Sequence, residues 1–234
     1  MKNNLYNKKI SVVIPVYNEE KTIEEILKKV LEETKNWQKE ITVVNDGSDD
    51  RTLEKLKEFS NQIVLINLPK NQGKGFALRE GLKKASGEII IIQDGDLEYS
   101  PKDYQKLLTP ILEDKTKVVY GSRNLNPENK PFSRIYLYGG KLITSFFNLL
   151  FKTNLTDINT GYKFFKKEVL NGISLREDGF SFCEEFTAKV VKKGFSILEV
   201  PISYKSRSFK EGKKIRLLDG LKAVFAILKY YFFE

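Results

Sequence analysis

Apolar residues alternate along the chain between short continuous runs and longer stretches with helical spacing. Four runs in the first half are rich in Val and Ile, as buried strands are, and they occupy residues 10–16, 41–44, 63–68 and 88–93. Three stretches in which apolar residues recur every three or four positions lie between them, at residues 19–33, 51–60 and 73–85. This alternation predicts an α/β, Rossmann-like fold, in which helices cover both faces of a mostly parallel sheet.

The second half continues the pattern less regularly. Pro101 predicts the start of a helix, and residues 117–120 predict a strand. Five further segments follow. They are an apolar aromatic stretch at 135–151, a turn with a strand at 157–165, a helix at 181–193, a further strand at 197–204 and a final amphipathic helix at 213–233. Pro201 lacks the N–H that a central strand needs, which favours an edge position for its strand. No linker or internal repeat divides the chain, so we expect a single domain over residues 1–234.

Polar turns follow three of the predicted strands, and they occupy residues 17–20, 45–50 and 94–98. In parallel α/β sheets, ligands bind outside the carboxyl ends of the strands. Because these three turns fall at such ends, we expect them to converge on one binding site.

The most informative of these turns contains Asp94 and Asp96, which follow four consecutive isoleucines, with Glu98 two residues later. Two carboxylates separated by one small residue can hold a divalent cation together with the phosphates that it bridges. Such a cation neutralises the charge that develops as a nucleoside diphosphate departs. An ordinary acidic turn is the alternative, but the position at the end of a buried strand in this topology favours function.

Other candidate residues each have a structural alternative. Asp46, with Gly47 and Ser48 after it, could accept hydrogen bonds from a nucleoside or could only form a turn. Residues 71–75 place glycines at a helix start, where an anion can approach backbone N–H groups, although they do not form a Walker loop. Arginines are scarce in this lysine-rich chain and their planar fork suits phosphate oxygens; the candidates are Arg123, Arg134 and Arg207.

Composition narrows the set of partners. Lys and Arg outnumber Asp and Glu by 40 to 31, and the net charge of +9 favours anionic partners: phosphorylated small molecules, anionic lipid or nucleic acid. Histidine is absent, so carboxylate oxygens must supply most ligands of any metal, which points to Mg²⁺ or Mn²⁺. The single cysteine, Cys183, indicates a reducing compartment. Residues 1–9 are polar, unlike a signal peptide, and no uncharged apolar run is long enough to span a membrane.

Taken together, the motifs resemble the family 2 glycosyltransferases with a GT-A fold, and among them the dolichyl- or polyprenyl-phosphate hexose synthases. The resemblance extends over residues 10–230 and rests on the segments 13–20, 43–48, 71–75, 93–98, 121–123, 160–163 and 199–204 together with Arg207. It implies that residues 8–125 form the half that binds the nucleotide-sugar and that residues 126–234 form the acceptor half.

The resemblance also implies a role for each matching position. The nucleotide-sugar, a UDP- or GDP-hexose, would be bound by Pro15, Tyr17, Glu19, Asp46, Lys74 and Asp94. Asp96 and Glu98 would hold the metal, and the catalytic residues would be Asp94, Asp96, Arg123 and Arg207. Arg123 would approach either the diphosphate or the acceptor phosphate. The other residues on the acceptor side would be Arg134, Glu185, Arg207 and Lys214, or Lys213 beside it. Glu98 stands where mannose-transferring relatives often carry Gln, which favours the glucose-transferring neighbours.

Two segments that combine basic and aromatic residues, 134–151 and 213–233, are candidate membrane-interface helices. The apolar face of the first would present Ile135, Tyr138, Leu142, Phe146 and Leu149. The apolar face of the second would present Leu217, Leu218, Leu221, Val224, Phe225, Leu228, Tyr231 and Phe232. Such helices suit an anionic membrane surface, whereas the ordinary alternative is that the apolar stripes pack on each other or on the sheet.

These observations predict an inverting glycosyltransferase, peripheral on the cytosolic face of a membrane, that moves a hexose from a UDP- or GDP-sugar to polyprenyl or dolichyl phosphate. A lipid phosphate is largely ionised at pH 7 and needs no base to activate it, which agrees with the absence of histidine. A transferase with a soluble glycan or protein acceptor remains an alternative. A nucleic-acid-binding module is disfavoured because acidic turns gather at the predicted site, so we expect no nucleic-acid partner.

Overall fold

The structure is a computed structural model that describes residues 8–233, so residues 1–7, with most of the segment examined for a signal peptide, and Glu234 lie outside it. Within the described range, one sheet contains the strands β1 (Ile10–Val16), β2 (Lys39–Asn45), β3 (Val64–Asn67), β4 (Ile89–Ile92), β5 (Val118–Ser122), β6 (Lys163–Lys166) and β7 (Ile197–Pro201). The α-helices are α1 (Ile23–Glu33), α2 (Thr52–Lys57), α3 (Lys74–Lys84), α4 (Tyr104–Leu112), α5 (Arg134–Phe151), α6 (Phe182–Lys192) and α7 (Leu217–Phe232).

The strands follow the order β3-β2-β1-β4-β6-β5-β7 across the sheet. Neighbouring strands are parallel except at β6, which runs antiparallel to both β4 and β5. The prediction of an α/β fold with a mostly parallel sheet is therefore confirmed. Pro201 is the last residue of β7, and β7 lies at the edge of the sheet, as the proline predicted.

The core forms on both sides of the sheet. Residues of α1 and α4 pack on one face of the central strands, and residues of α3 and α6 pack on the other. A third apolar cluster joins α5, α6 and α7 through residues such as Phe147, Ala188 and Ile227. No helix within residues 8–233 has both the length and the hydropathy that crossing a bilayer requires.

Two helices begin later than their apolar periodicity predicts. The predicted helix at 19–33 starts at Ile23, and the backbone N–H groups of Glu19 and Glu20, which precede it, donate to Thr52 Oγ1 and Asp50 Oδ2. The predicted helix at 213–233 starts at Leu217. In both cases the residues left outside the helix belong to loops that reach the sheet edge where the site lies.

Candidate active site

The three polar turns predicted to converge do so. Because β2, β1 and β4 are adjacent and parallel, their carboxyl ends share one sheet edge, and a cavity of about 1200 Å³ opens there. Every residue predicted to bind the nucleotide-sugar lines this cavity: Pro15, Tyr17, Glu19, Asp46, Lys74 and Asp94. Asp96, Glu98, Arg123, Arg207, Lys213 and Lys214 line it as well.

Asp94 stands on a rigid base at the end of β4. The side chain of Gln93 donates to the Asp94 carbonyl oxygen at 2.9 Å and accepts hydrogen bonds from Tyr104 and Tyr162, both at 2.7 Å. The Lys74 ammonium, at the start of α3, pairs with Asp94 Oδ1 at 2.6 Å. The carboxylate of Asp94 is therefore fixed in place, with one cation already beside it.

Gly161 provides the space that Asp94 occupies. A Cβ at position 161 would lie 2.3 Å from Asp94 Oδ2 and 3.0 Å from Tyr99 Cε2. The Gly161 N–H donates to the Tyr99 hydroxyl at 2.9 Å, which fixes the glycine at this distance. Gly161 belongs to one of the segments that carry the resemblance, which assigned it no role. Its close approach to Asp94 explains why a residue without a side chain stands at this position.

Residues 204–216, here called the basic strap, lie directly on the acidic turns. Arg207 donates from Nη1 and Nη2 to the two oxygens of Glu19 at 2.8 and 3.0 Å, and from Nη2 to Asp96 Oδ2 at 2.9 Å. Lys214 also pairs with Glu19. Arg207 and Lys214, predicted as acceptor-phosphate ligands, thus neutralise carboxylates of the donor side in this structure.

Glu98 is held by the same strap. Its carboxylate pairs with Lys213 at 2.9 Å, and it accepts hydrogen bonds from the Tyr204 hydroxyl at 2.8 Å and the Arg207 N–H at 2.7 Å. The ring of Tyr204 also lies under the Arg123 guanidinium, 5.2 Å from its centroid. Sequence reasoning gave Tyr204 no role, since only the docking of the strap shows what its hydroxyl contacts.

Burial, together with the nearby Asp94 and Glu98 carboxylates, raises the pKa of Asp96 to about 7, and the Arg207 guanidinium offsets this only partly. The turn therefore concentrates more negative charge than it can easily hold without a cation. This is the electrostatic setting in which a cation binds, and in this structure Arg207 and Lys213 supply the positive charge.

The two predicted metal ligands fit a hard divalent cation. Asp96 and Glu98 both present carboxylate oxygens to the cavity, and the charges they attract here are cationic. Among residues 8–233, no group of three or more acidic, cysteine or histidine side chains is arranged around a common point. Mg²⁺ is typically held by one or two carboxylates, with substrate phosphates and water completing its shell, so two carboxylates are sufficient.

Asp46 anchors the loop that leads into α3. Its carboxylate accepts hydrogen bonds from the Gln72 and Gly73 N–H groups, both at 2.8 Å, and from Asn71 Nδ2 at 2.9 Å. Burial raises the pKa of Asp46, and the two backbone hydrogen bonds oppose the shift. Asp46 therefore shapes the cavity wall at 71–73, besides lining the cavity itself.

Arg123 has a partner that the sequence reasoning missed. Its Nε and Nη2 donate to the two oxygens of Asp157, both at 2.7 Å, and Asp157 is buried. Asp157 is held in turn by its own N–H, which donates to Glu199 Oε1 at 2.9 Å. The only signal in the sequence was an acidic residue in a turn before a strand, which does not identify its partner.

Arg134 and Glu185 are not brought to the cavity. Arg134 is the exposed first residue of α5, next to the lining residues Ser133 and Ile135. Glu185 is fully buried on α6, where its carboxylate accepts hydrogen bonds from the backbone N–H groups of residues 176 and 177, both at 2.7 Å. In this structure Glu185 fixes the 176–177 loop and does not face an acceptor.

The buried carboxyl group of Glu184, next to Glu185 on α6, should make the stability of the fold depend on pH. Burial raises its pKa to about 7 from an ordinary value of 4.5, and the Lys163 ammonium offsets this only partly. The folded chain therefore binds a proton that the unfolded chain releases between those values, and stability is lost as pH rises from about 4.5 through 7. We expect the free energy of unfolding to fall by up to about 3 kcal/mol between pH 5 and 8 through this group.

Urea unfolding at several pH values checks this expectation. Glu184→Gln should flatten the pH dependence between pH 5 and 8, whereas Glu32→Gln, at an exposed position of α1, should leave it unchanged. An identical pH slope in the parent chain and in Glu184→Gln would contradict the assignment.

Comparison with known proteins agrees with this geometry. Residues 11–173 match the family described as glycosyl transferase family 2. The chain is 31% identical over 229 residues to a dolichol-phosphate mannosyltransferase of Pyrococcus furiosus, covering 96% of this chain and 63% of that protein. It is 30% identical over 246 residues to a UDP-N-acetylglucosamine–dolichyl-phosphate N-acetylglucosaminyltransferase of Methanococcus voltae, covering 95% of this chain and 96% of that protein.

A solved structure shares the fold. Glucosyl-3-phosphoglycerate synthase of Mycobacterium tuberculosis, in complex with Mn²⁺, UDP and phosphoglyceric acid, superimposes with a TM-score of 0.75 at 18% identity, covering 97% of this chain and 80% of that chain. The chain therefore belongs to glycosyltransferase family 2, and the expected GT-A fold is confirmed. It spans 63% of the length of the Pyrococcus relative.

Proposed function

We propose that this glycosyltransferase transfers a hexose, with inversion, from a UDP- or GDP-sugar to dolichyl or polyprenyl phosphate at the cytosolic face of a membrane. The observation that carries the proposal is the meeting of two sets of charges in one cavity. The acidic turns at the ends of β1 and β4 suit a nucleoside diphosphate with its metal, and the basic strap suits a phosphate. The names of the Pyrococcus and Methanococcus relatives, both dolichyl-phosphate transferases, support the lipid acceptor.

On the donor side, we assign the nucleoside to the wall formed by Pro15, Tyr17 and the loop 71–73 that Asp46 holds. Asp96 and Glu98 would hold Mg²⁺ or Mn²⁺, which when bound neutralises charge on the diphosphate. Lys74, beside Asp94 at the start of α3, adds a positive charge at a helix N-terminus.

On the acceptor side, a phosphate oxygen attacks the anomeric carbon as the nucleoside diphosphate leaves from the opposite face, which inverts the configuration. The phosphate is ionised at neutral pH, so no side chain needs to remove a proton from it. Arg207 and Lys213, which pair with Asp96 and Glu98 here, would be the strap cations available to the acceptor phosphate when those two carboxylates hold a metal. Arg123, which Asp157 orients through its Nε and Nη2, lines the same cavity.

The exposed face of α5 and α7 supports a membrane-facing acceptor. Eight large apolar side chains of these two helices are more than half exposed: Ile135, Tyr138, Leu142, Leu149, Leu218, Leu221, Phe225 and Phe232. The opposite face of α7, with Ala226, Ile227 and Tyr230, is buried against α5 and α6. The apolar stripes were expected either to pack against protein or to bind lipid. One face of α7 packs against other helices, and the other face is exposed and available to lipid.

This face predicts binding to anionic liposomes. Phe225→Glu should weaken co-sedimentation with phosphatidylserine vesicles roughly tenfold or more, because burying one large apolar side chain is worth about 1.5–3 kcal/mol. High salt should also weaken binding, since basic residues near the surface contribute about 1 kcal/mol each. Val64→Glu, an exposed position on the edge strand β3 outside this face, is the matched control and should bind as the parent chain does. Equal binding by Phe225→Glu would contradict the assignment.

A donor and acceptor screen tests the function directly. UDP- and GDP-hexoses are incubated with dolichyl or polyprenyl phosphate and Mn²⁺ or Mg²⁺, and the lipid product is quantified. Transfer to lipid phosphate is the expected result. Efficient transfer to a soluble glycan or protein hydroxyl without any transfer to the lipid would establish the alternative acceptor instead.

Arg207→Ala should separate the acceptor from the donor. A charge-assisted hydrogen bond to phosphate is worth about 1.5–3 kcal/mol, so kcat/KM for the lipid acceptor should fall roughly 10- to 150-fold. The affinity for nucleotide with metal should change less or improve, because Arg207 no longer competes for Asp96. Steady-state kinetics and calorimetry check the two expectations, and an unchanged acceptor response would remove Arg207 from the phosphate site.

A further inference from the structure

The loop 156–161, between α5 and β6, is fixed at nearly every residue. Thr156 and Asp157 donate their backbone N–H groups to Glu199 at 2.7 and 2.9 Å. The Ile158 carbonyl oxygen accepts a hydrogen bond from Lys163 Nζ at 2.8 Å, and Thr160 Oγ1 donates to the Gly121 carbonyl oxygen at 2.6 Å. A loop held in this way can present a side chain to a cavity with little loss of conformational entropy on binding.

Asn159, in the middle of this loop, is the exception. It lines the cavity, and its Oδ1 is buried without a hydrogen-bond partner among the residues that the structure describes. A buried polar atom without a partner costs about 1–3 kcal/mol and calls for an explanation. Because Asn159 itself lines the cavity, a ligand that brings a hydrogen-bond donor to this residue would supply the missing partner.

The surroundings of Asn159 indicate what that ligand is. Gly161, two residues after Asn159 in the chain, lies directly against the Asp94 carboxylate. The start of α3 reaches the same corner, because Lys74 pairs with Asp94 Oδ1 at 2.6 Å. Helix α6 approaches the loop through Cys183 Sγ, which lies 3.8 Å from the Thr160 carbonyl oxygen. Lys74, Ala77 and Phe180 also line the cavity.

Such a corner suits a sugar better than a phosphate. An amide oxygen accepts from hydroxyl groups but repels phosphate oxygens, and the charge of Lys74 is already matched by Asp94. The apolar lining residues Ala77 and Phe180 suit the C–H face of a pyranose in the same cavity. We propose that Asn159 binds a hydroxyl group of the transferred hexose and helps to determine which hexose the enzyme accepts. This inference rests on the proposed function, because it requires a nucleotide-sugar in the cavity.

Calorimetry with free nucleotide and with nucleotide-sugars tests the inference. The parent chain is titrated with UDP, GDP and their glucose, N-acetylglucosamine, galactose and mannose conjugates in the presence of Mn²⁺, and the best conjugate is compared with its free nucleotide. In Asn159→Ala, affinity for that conjugate should fall roughly 3- to 10-fold, as expected for one lost hydrogen bond, with less than about a twofold change for the free nucleotide. The differences in affinity among the hexose conjugates should also become smaller in Asn159→Ala.

Two further variants make the result decisive. Asn159→Asp keeps an acceptor oxygen but adds charge, so it should weaken free nucleotide and conjugate together and keep the ratio of their affinities. Asn126→Ala removes a cavity-lining asparagine whose amide already donates to the Ile202 carbonyl oxygen, and it should leave that ratio unchanged. Melting temperatures confirm that each variant is folded.

Three outcomes would overturn the inference. If Asn159→Ala weakens free nucleotide as much as the conjugate, Asn159 supports the nucleotide site or the fold. If it binds every conjugate as the parent chain does, Asn159 does not contact the sugar. If the parent chain binds no nucleoside diphosphate at all, the proposed function fails and this inference fails with it.

Discussion

Asp96→Ala should lower turnover by roughly 10²- to 10⁴-fold, because a catalytic metal supplies several kcal/mol of charge stabilisation in the transition state. Asp96 and Glu98 are the two carboxylates that fit the metal, and one or two carboxylates with substrate phosphates are typical ligands of a protein-bound Mg²⁺. Excess EDTA should abolish the activity of the parent chain in the same assay.

The fold should survive the loss of Asp96. Burial and two neighbouring carboxylates raise its pKa to about 7, so its removal relieves repulsion, and Arg207 keeps its two hydrogen bonds to Glu19. The melting temperature should therefore stay the same or rise. Glu32→Ala, which removes an exposed carboxylate on α1, is the control and should keep full activity. Full activity of the parent chain in excess EDTA would refute the metal requirement.

Gly161→Ala should lower turnover about 10²-fold through a single added methyl group. The new Cβ would lie 2.3 Å from Asp94 Oδ2, so either Asp94 or the loop must move. A displacement of about 1 Å at a reacting group can cost 10²-fold in rate. Overpacking should also destabilise the fold, by about 1–3 kcal/mol.

Gly179→Ala provides the matched control, since a Cβ at that position meets nothing within 4 Å. Activity and urea unfolding are measured on both variants. If Gly161→Ala loses stability but retains turnover within a factor of two of the parent chain, the position of Asp94 is not critical for catalysis. A loss of turnover in Gly161→Ala, measured well below its melting temperature, would support a critical role for the position of Asp94.

The sequence already determined the layout of the donor side. Val- and Ile-rich runs form buried strands because they leave no polar side chain to solvate, and helices between such strands force a mostly parallel sheet. Parallel strands end at a common edge, so the turns after β1, β2 and β4 had to meet. The positions of Asp46, Asp94 and Asp96 in the cavity follow from the order of the elements without any knowledge of side-chain contacts.

The apolar stripes of the C-terminal half show what helical periodicity does not predict. A helical period predicts that one face of α7 is apolar, but the same pattern serves packing against protein and binding to lipid. The structure shows which residues pack, with Ile227 and Tyr230 buried against other helices and Leu221 and Phe225 exposed. The distinction depends on where α5 and α6 lie, which the sequence of α7 does not contain.

Tertiary structure alone decided the partners of the charged residues. Arg207 meets Glu19 across 188 positions of sequence, and Arg123 meets Asp157 across 34. Glu185, an acidic residue in a helix, is turned inward to hold a loop. Sequence pattern records the period of a helix or strand and the residues at its ends, because these depend on neighbours along the chain. Ion pairs between loops depend on how separate elements dock, and that is settled by the packing of the whole sheet and its helices.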